Sequence, residues 1–306
     1  MDTGLDDLAT ALYVTCDDLL KAHPERVASR RPGTFTTNIS DAEMVTLAVM
    51  QALLGRTSER RWLRFAHTHL RAMFPTLPYQ SGYNKRLRAL APTMTWLGRT
   101  LAGMTSIGED DLWVADSTPV ECGRSRETAL RSAAAGFAEY GYCASHTRYF
   151  WGLRLHLLST VHGLPLGWAL TGAKADEREV LHDILTGTPE LAKIAATTSA
   201  TIIADKGYRG KWFETALNGA GITLLRPARK GEKKRPGEQF FKPLRQIIES
   251  VNDTFKGQLD LEHHGGRTDT GIYTRVTQRV LALTAAIWHN DRIGAPIHRS
   301  LIAYDH

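Results

Sequence analysis

The alternation of hydrophobic and polar positions changes character near residue 108 of this 306-residue chain. Before that point, apolar residues recur at helical spacing and predict helices over 40–56, 58–74 and 81–104. The first stretch begins with Ser40 three residues before Glu43, the spacing of a capping box. The third contains Pro92, which predicts a break or kink. The pattern therefore predicts an all-helical region over residues 1–108.

After residue 108, short apolar runs alternate with helical patterns. The runs predict strands in "DLWVADSTPV" (111–120), in a pair joined at His162-Gly163 (149–175), in "ATIIADKG" (200–207) and in "GITLLRPA" (221–228). The helical patterns lie at 176–187, 210–221, 243–260 and 273–291, and a charged loop is predicted over 229–239. This order indicates an α/β fold with a mixed sheet flanked by helices.

The net charge of the chain favours some classes of binding partner over others. The chain has a formal net charge of +6 and a pI near 9.3. Between residues 26 and 99, twelve lysines and arginines face three acidic residues, with aromatic residues among them. A DNA-phosphate surface explains this excess, and a solvated helical surface is the alternative.

Other features of the sequence exclude some cellular settings. The three cysteines show no paired spacing, which is typical of a reducing cytosol. No apolar run approaches the roughly 20 residues that a membrane span requires, and the acidic N-terminus does not resemble a signal peptide. A soluble, cytoplasmic protein is expected.

Two predicted strands each end on an aspartate that is followed by turn-forming residues. Asp116 ends "WVAD" before "STP", and Asp205 ends "IIAD" before "KGY". An aspartate at such a position often only makes local turn hydrogen bonds. If the two strands run parallel in one sheet, however, both carboxylates lie at the same edge.

The predicted helix 243–260 carries a third acid. Its buried stripe is followed one residue later by a polar stripe with the same spacing, formed by Arg245, Glu249, Asn252 and Lys256. These residues could form ordinary surface pairs one turn apart. In the functional interpretation, Glu249 faces the acidic edge of the sheet while Arg245 and Lys256 hold phosphates.

Converging carboxylates suit Mg²⁺ or Mn²⁺, which prefer hard oxygen ligands and bind substrate phosphate. A pair of such ions supports an in-line displacement at phosphorus. Long sequence gaps between the acids are no obstacle, since such a site is assembled from different elements.

Four segments together resemble the DDE transposases of bacterial insertion sequences. They are "ADSTPV" (115–120), the strand pair and helix start at 152–181, "IIADKGYRG" (202–210) and the signature helix. In that helix, Arg245, Glu249 and Lys256 match the family's arginine, glutamate and lysine spacing, while Lys242 occupies the position of the expected tyrosine. The resemblance extends over about 115–290.

The resemblance implies a ribonuclease-H-like catalytic domain over 109–306, with a basic insertion at about 121–150, preceded by a DNA-end-binding region at 1–108. The insertion either contacts DNA or is a mobile surface excursion. Asp116, Asp205 and Glu249 would be the catalytic residues and would bind two Mg²⁺ or Mn²⁺ ions. The implied phosphate contacts are Lys206, Arg209, Arg245, Asn252 and Lys256.

The implied activity is endonucleolytic cleavage at transposon ends and strand transfer into target DNA. The partners would be double-stranded DNA and further copies of the chain, as a homodimer or a higher assembly associated with the bacterial nucleoid. Two alternatives remain: a metal-dependent nuclease of the same fold that never joins strands, and a non-catalytic DNA-binding derivative of a transposase.

Overall fold

The computed structural model describes residues 3–27, 39–123, 125–143, 148–233, 241–297 and 301. These residues form two compact units. The first contains the described residues of Met1–Leu101 and Thr254–Pro296, and the second contains those of Ala102–Asp253. Short pieces of the C-terminus are divided between them.

The first unit consists of helices, and the second contains both helices and strands. The helices are α1 (Thr3–Ala22), α2 (Asp41–Leu53), α3 (Glu59–His69), α4 (Gln80–Gly103), α5 (Arg126–Arg131), α6 (Glu177–Thr186), α7 (Pro189–Thr198), α8 (Lys211–Gly219), α9 (Phe241–Asp253) and α10 (Asp269–Arg292). The strands are β1 (Leu112–Gly123), β2 (Glu139–Cys143), β3 (Arg148–Thr160), β4 (Pro165–Gly172), β5 (Thr201–Ile203) and β6 (Thr223–Leu225).

The first unit is a helical assembly centred on α2 and α10. Both helices are buried nearly all round, and each packs against the other and against α1. The predicted capping box is confirmed, because Ser40 Oγ accepts from the Glu43 amide and Glu43 Oε2 accepts from the Ser40 amide. Helix α4 continues through Pro92, so the predicted break is absent.

The second unit contains a six-stranded mixed sheet in the order β2-β3-β1-β5-β6, with β4 also paired to β3. Strand β1 runs antiparallel to β3 and parallel to β5, and β5 runs parallel to β6. The predicted hairpin is confirmed, since β3 and β4 pair across a turn in which Gly163 has a φ of +89°. Helix α6 packs on β3 and β4, and α9 packs on β1.

Strand β1 is longer than its apolar run predicted. It continues beyond Asp116 to Gly123, because its backbone pairs with β3 as far as Trp151. The prediction that this strand ends on Asp116 is therefore wrong. Only its parallel pairing with β5 stops earlier, at Val114.

The helix predicted over 243–260 has different bounds. It begins at Phe241 and ends at Asp253, and a π-helical turn follows at Thr254–Gln258. The α-helical spacing therefore does not extend to Lys256. The side chains of Lys242 and Arg245 lie outside the described part of the chain, as do residues 234–240 of the predicted charged loop and its surroundings.

None of the helices in the described residues is both long and apolar enough to span a membrane.

Candidate active site

Sheet register brings the two predicted aspartates to one edge. The parallel pairing of β1 with β5 ends at the pair Val114 and Ile203. Asp116 and Asp205 each follow two residues later, so they occupy equivalent positions past the last pair. The two carboxylates also interact electrostatically, because the negative charge of Asp205 raises the pKa of Asp116.

The carboxylate of Asp116 is held by two neutral donors. Asn252 Nδ2, from α9, donates to Asp116 Oδ2 at 2.5 Å, and the Ser117 amide also donates to the carboxylate. Burial raises the pKa of Asp116 to about 7, although both hydrogen bonds oppose that shift. The negative charges of Glu177 and Asp205 raise it further.

Asp205 has a turn-forming role and also belongs to the acidic edge. Its Oδ1 accepts from the Gly207 amide at 2.5 Å and caps the short 3₁₀ turn Lys206–Tyr208. A Cβ at position 207 would lie 2.6 Å from that same oxygen, so the present position of the carboxylate depends on glycine there. Asp205 itself is exposed.

Tyr208 is the last residue of this turn and is almost fully buried. Burial raises the pKa of its phenol well above the ordinary value, and the charges of Glu177, Asp116 and Asp205 add to the effect. The phenol of Tyr208 is therefore within electrostatic reach of these three acidic side chains.

Glu249, the third predicted acid, is exposed on α9. It precedes Asn252 by three residues, so the two share one side of the helix. Within the described ranges, however, no group of three or more histidine, cysteine, aspartate or glutamate side chains is arranged to hold a metal ion. The structure thus brings Asp116 and Asp205 together and places Glu249 one turn from the residue that contacts Asp116.

The sequence did not indicate Glu177 as a site residue. Its Oε1 accepts from Ser117 Oγ at 2.5 Å and from Arg154 Nη1 at 2.9 Å. The only local signal was an acidic first turn in the predicted helix 176–187, a common feature that stabilises helix N-termini. Its position beside the aspartates follows from the packing of α6 on the sheet.

The predicted phosphate contacts have different surroundings. Lys206 is exposed, whereas Arg209 forms an ion pair with Glu232, with 3.2 Å between Nε and Oε1. The amide of Asn252 is engaged with Asp116. Lys256 is half-buried in the π-helical turn and belongs to the first unit.

The insertion at 121–150 contributes folded structure. It contains α5 and β2, and its alanines Ala129, Ala134 and Ala138 pack with Trp151 of β3. Its outer surface carries exposed tyrosines, of which Tyr142 and Tyr149 have ring centroids 5.1 Å apart. In its described part, the insertion extends the sheet at the edge of β3.

Comparison with known proteins identifies a family to which the second unit is similar. The sequence model of the family described as "Transposase DDE domain" matches residues 108–269, slightly more than half of the chain. No curated protein and no solved structure gives a significant match.

Proposed function

Because the chain belongs to the transposase DDE domain family, we propose that it cleaves DNA at transposon ends and joins those ends to target DNA. The observation that supports this most strongly is the shared position of Asp116 and Asp205 at one sheet edge, inside the matched segment. Carboxylates that converge in this way can hold the divalent cations that catalyse phosphoryl transfer.

The chemistry of the donors fits a divalent cation. The Asp116 carboxylate is half-buried, and its hydrogen-bond donors, two amides, are both neutral. A cation between Asp116 and Asp205 would offset the repulsion and the burial that raise the pKa of Asp116. In this proposal the site holds two Mg²⁺ or Mn²⁺ ions. They would activate the attacking oxygen and stabilise the leaving oxygen.

The protein side chains would orient this site. Asn252 fixes one oxygen of Asp116, and the Gly207 amide fixes one oxygen of Asp205. Glu249 is proposed as the third acid, since it is exposed on the side of α9 that contains Asn252. Lys206, Arg209, Arg245 and Asn252 are proposed to contact DNA near the cleaved bond, and Lys256 of the first unit is proposed as a further DNA contact.

The first unit is proposed to bind the DNA ends. Its three acids between residues 26 and 99 have partners within the protein: Asp41 pairs with Arg86, Glu43 caps α2, and Glu59 pairs with Arg275. Several cations of the same stretch are exposed, namely Arg60, Arg61, Arg64, Arg71, Lys85 and Arg88. An exposed surface of this charge suits duplex phosphates.

Assembly and location follow from the same proposal. Pairing two DNA ends requires two catalytic centres, so we propose a homodimer or a higher assembly on DNA. A DNA-bound enzyme of this kind would be associated with the bacterial nucleoid in the cytoplasm.

The first prediction concerns Asp205→Asn and Asp116→Asn. Each variant should abolish Mg²⁺-dependent cleavage of duplexes taken from both sides of the protein's own coding sequence, because each removes a carboxylate while keeping its size. DNA binding, measured by gel shift, should remain. Asp183→Asn on α6 is the matched control, since Asp183 is an exposed aspartate whose side chain is 83 % accessible.

Equal loss of cleavage and binding in both site variants would assign the aspartates a structural role only. A second assay separates transposase from nuclease. Wild type supplied with pre-cut ends that carry a 3′-hydroxyl should join them to target DNA. Cleavage without joining would favour the nuclease, and binding without either reaction would favour the non-catalytic derivative.

A further inference from the structure

Glu177 connects three separate parts of the catalytic unit. Its Oε1 accepts from Ser117 of β1 at 2.5 Å and from Arg154 of β3 at 2.9 Å. Its Oε2 lies 3.5 Å from the point that a Cβ on Gly207 would occupy. One carboxylate of α6 therefore binds β1 and β3 and lies near the turn after β5.

These contacts adjoin both aspartates of the site. Ser117 follows Asp116 directly in the chain, and Gly207 donates its amide to Asp205. The next residue of α6 holds the same turn from another point, because Arg178 Nη1 donates to the Arg209 carbonyl at 2.9 Å. The start of α6 thus fixes the segments that carry Asp116 and Asp205.

Arg154 holds the Glu177 carboxylate in place. Its Nη1 donates to Glu177 and also to Ser117 Oγ, each at 2.9 Å, while Nη2 donates to the Tyr142 carbonyl at 3.2 Å. The accessible fractions of the Arg154 and Glu177 side chains are 16 % and 28 %. A partly buried ion pair with three fixed contacts is more rigid than an exposed one.

Glu177 hydrogen-bonds to the neighbour of Asp116 rather than to Asp116 itself. Successive residues of a strand point to opposite faces, so Ser117 faces α6 while Asp116 faces α9 and Asn252. Glu177 therefore supports the acidic edge from the opposite face. Its negative charge still reaches the site, since it acts on both Asp116 and Tyr208.

We propose that Glu177, held by Arg154, is a positioning residue that keeps Asp116 and Asp205 at the separation at which they share a divalent cation. This inference rests on the proposed function, because it concerns the same metal site. It assigns Glu177 no contact with the metal or with DNA. Residues that orient metal ligands typically change metal affinity by about 10-fold to 100-fold when they are replaced.

The test measures binding of Mn²⁺ by the full chain. Free Mn²⁺ is quantified by electron paramagnetic resonance, with and without a short random-sequence duplex that supplies phosphate. Glu177→Gln keeps the size and one acceptor oxygen but removes the charge, and it should weaken Mn²⁺ binding by about tenfold without a matching fall in melting temperature. Glu179→Gln is the control, because Glu179 is an exposed glutamate in the same first turn of α6.

The comparison variants are Asp116→Asn and Asp205→Asn, which should lose Mn²⁺ binding outright. If they lose it while Glu177→Gln binds as well as Glu179→Gln does, the positioning role is overturned and the proposed function stands. If wild type takes up no Mn²⁺ with or without the duplex, the metal site and the positioning role both fall.

Ser117→Ala provides a second variant in case Glu177→Gln does not fold. It removes one donor to Glu177 and leaves every charge in place, so it should weaken Mn²⁺ binding less than Glu177→Gln and more than Glu179→Gln. Mn²⁺ affinity equal to that of the control would overturn the proposal.

Discussion

At the scale of single residues, His156 shows how the sheet interior constrains a titratable group. It lies on β3 with 2 % of its surface accessible, and its Nε2 is 2.9 Å from Thr171 Oγ1. Within the described residues, its Nδ1 has no hydrogen-bond partner. Burial, assisted by the charge of Arg154, lowers the pKa of this imidazole from 6.5 to about 4.

This pKa predicts a pH dependence of stability. A base with a lowered folded pKa stabilises the native state above pH 6.5, and that contribution is lost as the pH falls towards 4. Between pH 7 and pH 5, His156 should account for a loss of about 2 kcal/mol in the free energy of unfolding. Denaturant titrations of wild type and His156→Gln at pH 7 and pH 5 measure this loss of unfolding free energy.

The loss should be smaller in His156→Gln and unchanged in His182→Gln, which alters a partly exposed histidine of the same unit. If His156→Gln and wild type lose the same free energy on acidification, the imidazole is already protonated at pH 7 or is solvated.

The residues of the site differ in how far sequence reveals them. Asp116 and Asp205 could be named because each follows an apolar run and precedes turn residues. Glu177 and Asn252 could not be assigned their contacts, because those depend on how α6 and α9 pack on the sheet. The ion pair between Arg209 and Glu232 could not be predicted from the sequence either, because the two residues are brought together only by the conformation of a loop.

At the scale of elements, the sheet follows from patterns that are local in sequence. The family match confirms the ribonuclease-H-like fold, and the strands predicted at 149–175, 200–207 and 221–228 are all present. The lengths were less predictable. The extension of β1 past Asp116 depends on its pairing with β3, and the end of α9 at Asp253 interrupts a spacing that looked regular in the sequence.

The 3₁₀ turn Lys206–Tyr208 gives a prediction at this scale. Gly207→Ala would place a methyl group 2.6 Å from Asp205 Oδ1, so the carboxylate must move or the turn must open. We expect Mn²⁺ binding and DNA cleavage to fall together while the melting temperature changes little, because the turn is at the surface. Mn²⁺ binding, DNA cleavage and thermal unfolding are all measured on the same preparation of the variant.

Gly219→Ala is the control for that variant. Gly219 ends α8, and nothing lies within 4 Å of the point that an alanine Cβ would occupy there, so this substitution should leave binding and cleavage unchanged. Full activity in Gly207→Ala would show that the Asp205 carboxylate need not be held by this turn.

At the scale of the whole molecule, the compact units do not follow the order of the chain. Helix α10 belongs to the first unit and packs against α1 and α2. Polar contacts reinforce this packing: Gln278 Nε2 donates to the Ala48 carbonyl at 2.6 Å, and Arg275 pairs with Glu59. Periodicity changes near residue 108, but it carries no information about which distant helix completes a core.

A fragment of residues 1–108 should therefore fail to fold alone. Without α10, the apolar faces of α1 and α2 that pack on it would be exposed to water. We expect poor dispersion in its amide NMR spectrum and no cooperative thermal transition. Adding a peptide of residues 254–296 should restore both, whereas a peptide with Gln278→Leu and Arg275→Leu should restore them less completely.

A cooperative transition in the 1–108 fragment alone would contradict this expectation. Residues 102–253, which form nearly all of the second unit in one continuous segment, provide the comparison fragment and should give a dispersed spectrum.

The divided first unit also has a consequence for protein synthesis. Residues 102–253 are translated before α10, so a nascent chain contains both of the proposed site aspartates while its helical unit still lacks a central helix. In the proposed division of roles, DNA-end binding then begins only after α10 has been translated. A chain that ended before α10 would contain the acidic edge of the sheet without the complete helical unit that is proposed to bind the DNA ends.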